Sequence, residues 1–493
     1  MSATPKIAVV GGASAWLAAA ALVRALRHRG IQVQVIETAD ADASLGEWTL
    51  PSSRGMHKLL GIKEGDFLRA TGASFRLGSE HQGWQGDGSG FVHSHGSIGK
   101  ELQGVPFYKL LLSRRLAGER LPTDVFSVAS AALRMGRFAR PEGSDNAMTA
   151  SFTYGYHLRT QSYAAMLEEV ARANGVHSVR GEIEQIHRDE AGNLLAVSAG
   201  GQRVDADFFV DCSGSRALLM SQLGAADHID WSANLPCDRL MTGHGPQPTA
   251  HRAATETRAV PSGWMWRIPL ADASVGGYVY SSTLLGDAEA AMQLRQACGV
   301  NEPRVKQIHS GRRRHFWVNN VIAVGEAAME LEPLVGATMH FVQVGVATLI
   351  ELFPVGGSAR VEAAEYNRLM AEEADALRDF TLAHWLCSAR KEPLWQQVRA
   401  ASVPERLAAR MELFKANGRI QVFDHETFEE SDWAALFLGS NWLPDDLEAQ
   451  VALRVAKVTS AEAGLIADQV RGLAESMPPH LVYLRHASQS RAG

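Results

Sequence analysis

The chain opens on an apolar run, Ile7 to Val10, followed by a glycine turn, an alanine-rich stretch and a second apolar run, Val33 to Ile36, closed by Glu37. Short apolar runs bounded by turns read as buried strands, and a longer run between them as a helix, so residues 6 to 37 predict β-α-β. The alternation continues to about residue 350, as α/β folds require. Ser162 to Asn174 predicts a helix, HSVRGEIEQIHRD and NLLAVSAGG a pair of hairpin-like strands, and DADFFVDCSG a buried strand ending at a turn. A strand-rich middle includes Trp264 to Leu270 and Gly277 to Ser282, and VNNVIAVGEAA (318–328) reads as a buried strand feeding a glycine turn. After Gly336 the period becomes 3.6: Met339 to Phe353, Ala359 to Leu386 and Leu447 to Ala474 carry helical patterns. There is no internal repeat and no low-complexity linker, so an α/β fold with interwoven parts is expected.

Length, composition and charge narrow the function class. At 493 residues the chain exceeds one compact core. Its 46% hydrophobic and 21% charged residues are ordinary for a globular protein, and the net charge of -6 argues against nucleic-acid or membrane binding. The basic run Arg312-Arg313-Arg314 is too short to change that. Cys212, Cys237, Cys298 and Cys387 lack metal or disulfide spacing and fit a reducing compartment. Trp16 to Leu26 follows a complete strand and turn, so it reads as a helix and not a leader. No run approaches about 18 apolar residues, and a cytoplasmic location is the default expectation.

Four stretches carry candidate chemistry. A glycine turn opening a helix aims backbone N–H groups and the positive helix end at a pyrophosphate. Here the turn is GGASAW: against G-x-G-x-x-G only Gly11 survives, with Ala13 and Trp16 in the other places. Ser14 and Ala15 complete the turn, and Glu37 stands where an acid takes a ribose hydroxyl. Such a turn is equally consistent with a plain β-α-β unit. In DFFVDCSGSRALLM, Asp211 and Gly214 form either a second wall of a cofactor site or an ordinary strand–turn–helix. Gly325 follows a buried strand, and the N–H groups at the helix start expected near Ala337 either face an anion or flavin edge or belong to a plain helix cap. In SGWMWRIPL, Trp264 and Trp266 share a strand face and Pro269 ends the strand. Periodicity alone favours a core pair over a tunnel wall.

These motifs together resemble the flavin-dependent tryptophan halogenases. GWMWRIPL matches their W-x-W-x-I-P, with Ile268 and Pro269 at its end. VVGGASAW is similar to G-G-G-T-A-G-W, LGEWTLPS (with Glu47) to G-E-x-T-x-P, and SFRLGSEHQGW to T-F-K-L-G-I-x-F-x-x-W. VDCSGSRALL, LPCDR, GYVYSS, GRRRHFW, LEPL, DWAALFLG and MPPH follow in the family's order. The resemblance implies an FAD-binding, flavin-monooxygenase-like module over residues 1–350 with an inserted substrate-side sheet, and a mostly helical substrate module over 351–493. It implies FAD, a separate flavin reductase and a small aromatic, indole-like substrate. A homodimer is left open. In the family, oxygen and reduced FAD give a flavin hydroperoxide, which oxidises halide to hypohalous acid. The acid crosses a tunnel walled by the W-x-W-x-I-P residues to a lysine, and a glutamate assists substitution on the arene.

The departures fall on functional positions. If Trp16 matches the family's terminal tryptophan, the turn is one residue short and Ala15 takes the last glycine's place. Arg76 stands at the lysine position, and a guanidinium stays protonated and is a poor nucleophile. Val335 and Gly336 replace the glutamate and serine of L-E-P-L-E-S-T, and valine moves no proton. Glu330 and Glu332 lie upstream, the latter at the structural L-E-P position. Weakened or lost FAD binding is therefore expected, together with loss of ordinary halogenation. Three readings compete: a flavoenzyme of halogenase descent with another oxidation, a non-catalytic ligand-binding or regulatory homologue, and a halogenase positioning its oxidant with Arg76. His93 and His95 sit where the family places pocket residues. A metal is not expected there, because no further ligand lies at metal spacing. Asp432-Trp433 and Asn441-Trp442 close the pocket from the helical side, or else form a surface helix.

Overall fold

Lys6–Gly11 lies inside a six-stranded sheet, between Phe208–Cys212 and Gln32–Glu37. The computed structural model describes residues 5–39, 44–119, 121–141, 151–223, 228–354 and 359–489. Val321–Ala323 and His177–Arg180 extend the sheet on its two sides in parallel, and Trp317–Val318 closes one edge antiparallel. Parallel strands are covered on both faces, which explains the unbroken apolar run at Ile7 to Val10, where every residue is buried. The alanines of Ala13–Ala25 let that helix approach both the sheet and its neighbours Thr160–Ala173 and Ala337–Glu351 closely. The expected β-α-β unit is present.

One expected hairpin is divided. His177–Arg180 joins the parallel sheet beside Gln32–Glu37, and the hairpin is formed by Ile183–Arg188 with Leu194–Ala199. Gly181, with φ 158° and no room for a Cβ against Gly200, lets the chain leave one sheet for the other.

A seven-stranded sheet is built from the middle of the chain. Its order is Asn301–Gln307, Arg239–Gly245, Ser274–Tyr280, Gly263–Pro269, Ala254–Val260, Gly78–Gln82, Gly90–Ser94. All neighbours are antiparallel except Ala254–Val260 with Gly78–Gln82. A small sheet of Gly46–Trp48, Gly155–Arg159 and Ser74–Arg76 bridges the two larger ones.

The helical part begins with Arg360–Leu386, which packs on Ala337–Glu351. The expected helix over 447–474 is two helices, Ala449–Val455 and Ser460–Ser476. Thr459 and Glu462 form a capping box that starts the second, a local signal stronger than the continuing apolar period. One apolar core cluster includes both Ile7 and Ala487, so the sheet and helical parts share a core. No helix among the described residues is long and apolar enough to cross a membrane. All four cysteines are buried and unbridged.

Candidate functional site

The dinucleotide end of the site is built on the first helix. Gly11 has φ 144°, and a Cβ there would fall 2.1 Å from the Cys212 carbonyl oxygen, so this glycine is needed for strand packing. Gly12 caps the helix, which begins at Ala13. Trp16, expected to obstruct the turn unless its ring swings outward, does swing outward. It is buried on the flank of the helix, with the Arg172 guanidinium 5.3 Å from its ring centre. Glu37 ends its strand and accepts hydrogen bonds from Arg180 Nε and Nη2 at 3.0 and 3.2 Å. Arg180 is mostly exposed, so this pair is weak and exchangeable for a ribose hydroxyl.

Asp211 holds the strand–turn–helix that carries it. Its buried carboxylate accepts from the N–H groups of Ser213, Leu219 and Met220 at 3.1, 2.8 and 2.9 Å and from the Ser213 hydroxyl. It therefore shapes the turn that carries Gly214, and its oxygens are spent there. Gly214 and Gly325 both adopt φ 68°, and Cβ atoms built on them would meet Glu326 Oε2 at 3.8 Å and Ser14 Oγ at 3.9 Å respectively. Ser14, Gly214, Gly325 and Glu326 thus converge beyond the carboxyl ends of the central strands, where open α/β sheets bind ligands. Lys306 Nζ pairs with Glu326 at 2.6 Å and with Glu330 at 3.4 Å, and these carboxylates raise its pKa against the cost of burial.

Beside this turn lies a cavity of about 30 Å³ bordered by Glu47, Trp48, Trp266, Glu326, Gly336 and Thr338. Trp266 lies against Gly277, where a Cβ would come within 2.2 Å of the indole. Its ring meets Trp48 edge-on at 5.1 Å. The indole N–H groups of Trp48 and Trp266 are buried without acceptors. A helix start, Ser14, Glu37, two left-handed glycines and two unpaired buried donors suit a phosphate, a ribose and flavin carbonyls. The chemistry fits, and the cavity is smaller than the roughly 300–1,000 Å³ of a ligand pocket.

A second cavity, of about 570 Å³, is bordered by Pro51, Ser52, His95, Phe152, His340, Phe428 and Asp432, among others. His340 comes from the helix Ala337–Glu351, and its Nε2 lies 2.6 Å from Thr427 Oγ1 and 3.2 Å from Glu373 Oε1. The Thr427 hydroxyl donates to Glu373, so it accepts from His340 Nε2–H. That tautomer leaves Nδ1 basic, 3.1 Å from Ser52 Oγ. Ser52, His340 and buried Glu373 form a polar line from cavity to core.

Neither Arg76 nor Val335 is in the wall of this cavity. Arg76 is buried, and its Nε donates to Thr255 Oγ1 at 2.9 Å, Nη2 to Ser79 Oγ at 2.9 Å, and Nη1 to the Thr49 carbonyl at 3.2 Å and to His95 Nε2. Among the described residues no carboxylate pairs with it. Burial pulls its pKa down to about 9, still charged at neutral pH. Because His95 Nε2 accepts from Arg76, Nδ1 carries the proton, and burial and the Arg76 charge hold the ring neutral. Thr255 continues the network to His157 at 3.0 Å, and Ser74 links His157 to the Pro269 carbonyl. Val335 is a buried apolar side chain in the turn Pro333–Val335.

Trp264 and Trp266 are both buried on the strand Gly263–Pro269, with Ile268 beside them. Glu332, on the core side, accepts from Trp385 Nε1 at 2.6 Å, and burial pushes its pKa up to about 7. His93 is turned away from His95 and bonds Asp432 Oδ1 at 2.8 Å. Trp433 is core, packed 4.9 Å from Phe380. Sequence reading missed Ser52, His340, Glu373 and Thr427. The one local signal was a histidine inside the apolar helix ATMHFVQV; its partners lie far along the chain in both directions.

Comparison with known proteins places this geometry. The tryptophan halogenase family pattern matches residues 6–455. The chain is 27% identical to the tryptophan 6-halogenase SttH of Streptomyces toxytricini over 98% of each chain. Among solved structures, Xcc4156, a flavin-dependent halogenase from Xanthomonas campestris, superposes with a TM-score of 0.91 at 30% identity over 99% of each chain. BrvH, a flavin-dependent halogenase from Brevundimonas sp. BAL3, does so with 0.91 at 28% identity over 98% of this chain and 99% of that one.

Proposed function

The chain belongs to the tryptophan halogenase family, and on that premise we propose that it is an FAD-dependent oxidising enzyme that oxygenates a small aromatic molecule, with His340 handling the proton. The observation that carries this reading is the Ser52–His340–Glu373 line opening on the 570 Å³ cavity. FAD is the family's cofactor, and when bound and reduced by a separate reductase it supplies the two electrons with which oxygen becomes an electrophile.

The chain's own residues do the rest. The start of Ala13–Ala25 and Glu37 hold the dinucleotide, and Phe152 and Phe428 flank the arene. His340 Nδ1 removes the ring proton as one oxygen atom forms the arene C–O bond and the other leaves as water. Glu373 stabilises the imidazolium that results. His95 offers its Nδ1–H to the developing oxyanion, oriented by Arg76. Arg76 has committed four N–H groups to protein acceptors, so it is poorly placed to hold hypohalous acid. Val335 moves no proton. Halogenation of free tryptophan is not expected.

The 30 Å³ flavin-side cavity favours one other reading, ligand binding without turnover. The deciding experiment supplies reduced FAD, oxygen and a panel of indoles and phenols with and without bromide. Oxygenated product independent of halide, lowered about a hundredfold in His340→Gln, is expected. Halotryptophan suppressed by Arg76→Ala would sink the proposal, and a colourless protein with no flavin-dependent product would leave ligand binding.

A further inference from the structure

We propose that His81, His93 and His384 form a binding site for a late first-row divalent cation, Zn²⁺ by its ligand chemistry. One ring nitrogen from each lies within 4.8 Å of the other two, and all three residues are buried. The site stands apart from the functional reading above and needs no flavin.

Two of the ligands come from one hairpin. Gly78–Gln82 pairs with Gly90–Ser94 so that His81 opposes Phe91 and Ser79 opposes His93. His81 and His93 are therefore diagonal neighbours on one face. His384 reaches them from the last turn of Arg360–Leu386. The metal reading of His93 and His95 failed in sequence for want of further ligands. The fold supplies two for His93 and turns His95 elsewhere.

The hydrogen bonds behind the rings set the tautomers. His384 Nδ1 lies 2.8 Å from the Phe380 carbonyl, which only accepts, so Nδ1 carries the proton and Nε2 the lone pair. His93 Nε2 lies 2.8 Å from Asp432 Oδ1, leaving Nδ1 as the lone pair. Thr257 donates its hydroxyl proton to the Glu80 carbonyl at 3.3 Å and accepts from His81 Nδ1 at 2.8 Å, leaving Nε2. A backbone carbonyl, a carboxylate and a hydroxyl behind three imidazoles are the outer partners that orient metal-bound histidines.

Two of the inward nitrogens have no partner. His81 Nε2 and His384 Nε2 are buried without a partner. Burial, with mutual repulsion, holds His81 well below its ordinary pKa, and burial takes His384 down to about 3, so both keep their lone pairs. Two buried acceptors left unmade are costly, roughly 1–3 kcal/mol each. One water has only two protons to give, whereas a cation takes all three lone pairs. Neutral nitrogen ligands without thiolate suit Zn²⁺ and its neighbours, not Ca²⁺ or Mg²⁺.

Aromatic rings pack around the three imidazoles, and a four-coordinate ion there would take a water as its fourth ligand. Phe91 stacks on His81 at 4.8 Å, and Trp84 and Phe380 meet His384 edge-on at 6.0 and 5.0 Å. Zn–N bonds of about 2.0–2.1 Å ask the rings to close by small side-chain rotations. The Asp432 carboxylate offsets the added charge against the repulsion of Arg76. Asp432 also borders the aromatic cavity and accepts from the Glu429 N–H, so a bound ion would fix the hairpin, the long helix and one cavity wall together.

The test uses the full chain, stripped with chelator and titrated with Zn²⁺ and Co²⁺. One equivalent is expected to bind, Co²⁺ giving four-coordinate d–d bands, with a higher Tm in the loaded protein. His81→Leu and His384→Leu should each weaken binding at least about tenfold. X-ray absorption of the wild-type Zn²⁺ protein should count three imidazoles, a readout that needs no variant to fold. No stoichiometric binding by folded wild type, a different ligand count, or unchanged affinity in two folded variants overturns the site.

Discussion

Arg76 donates a hydrogen bond to His95 Nε2, and of these two only His95 borders the aromatic cavity. Arg76 is an internal brace. Arg76→Lys should therefore destabilise the protein by about 2–4 kcal/mol, because a single ammonium cannot reach four acceptors spread around a planar fork. Denaturant unfolding checks the loss. Halogenation assayed on the same variant should stay absent, and its appearance would show that position 76 reaches the oxidant.

Buried histidines make the fold acid-sensitive. Burial lowers His57 to about 4 and His384 to about 3, and holds His81, His95, His157 and His480 well below the ordinary value. The unfolded chain takes up these protons near pH 6.5, so the stability they contribute is complete above that pH and lost on acidification. Each contributes on the order of 1 kcal/mol per pH unit. Glu332, raised to about 7, and Asp379, raised to about 6, act in the opposite direction, losing stability as pH rises from about 4. The histidines are more numerous, so urea midpoints should climb from pH 5 to 7. The climb should steepen in Glu332→Gln; greater stability at pH 5 would refute the balance.

Asp211→Asn should cost about 2–3 kcal/mol, since an amide oxygen cannot accept from Ser213, Leu219 and Met220 as both carboxylate oxygens do. Loss of FAD-induced protection in hydrogen exchange at Gly214 should accompany it. An unchanged denaturant midpoint would mean that the turn holds itself.

Trp16→Gly restores a glycine of the dinucleotide turn yet should not improve FAD binding. The ring already packs on the helix flank beside Arg172. Its removal should lower stability by about 3–5 kcal/mol. Flavin titration by tryptophan quenching decides, and a clear gain in affinity would restore the steric account.

The sequence by itself determined the elements whose signal is local. The apolar run at Ile7 to Val10, the helix after it, the strand of Trp264 and Trp266 and the helix to Leu386 are all found close to where their periods put them. The motif order also determined the family. Tertiary structure decided what the polar residues do, because a hydrogen bond is a relation between positions and leaves no period. Asp211, which the sequence left open between a cofactor wall and an ordinary turn, accepts hydrogen bonds from its own turn. His95 lies just past the end of the strand Gly90–Ser94 that carries His93, so the pleat does not tie the two together and they bond different partners, Arg76 and Asp432. His340 became legible only when Ser52, Glu373 and Thr427 were brought around it. Backbone conformation answers to near neighbours, whereas the chemistry of a buried side chain answers to whatever the fold packs against it.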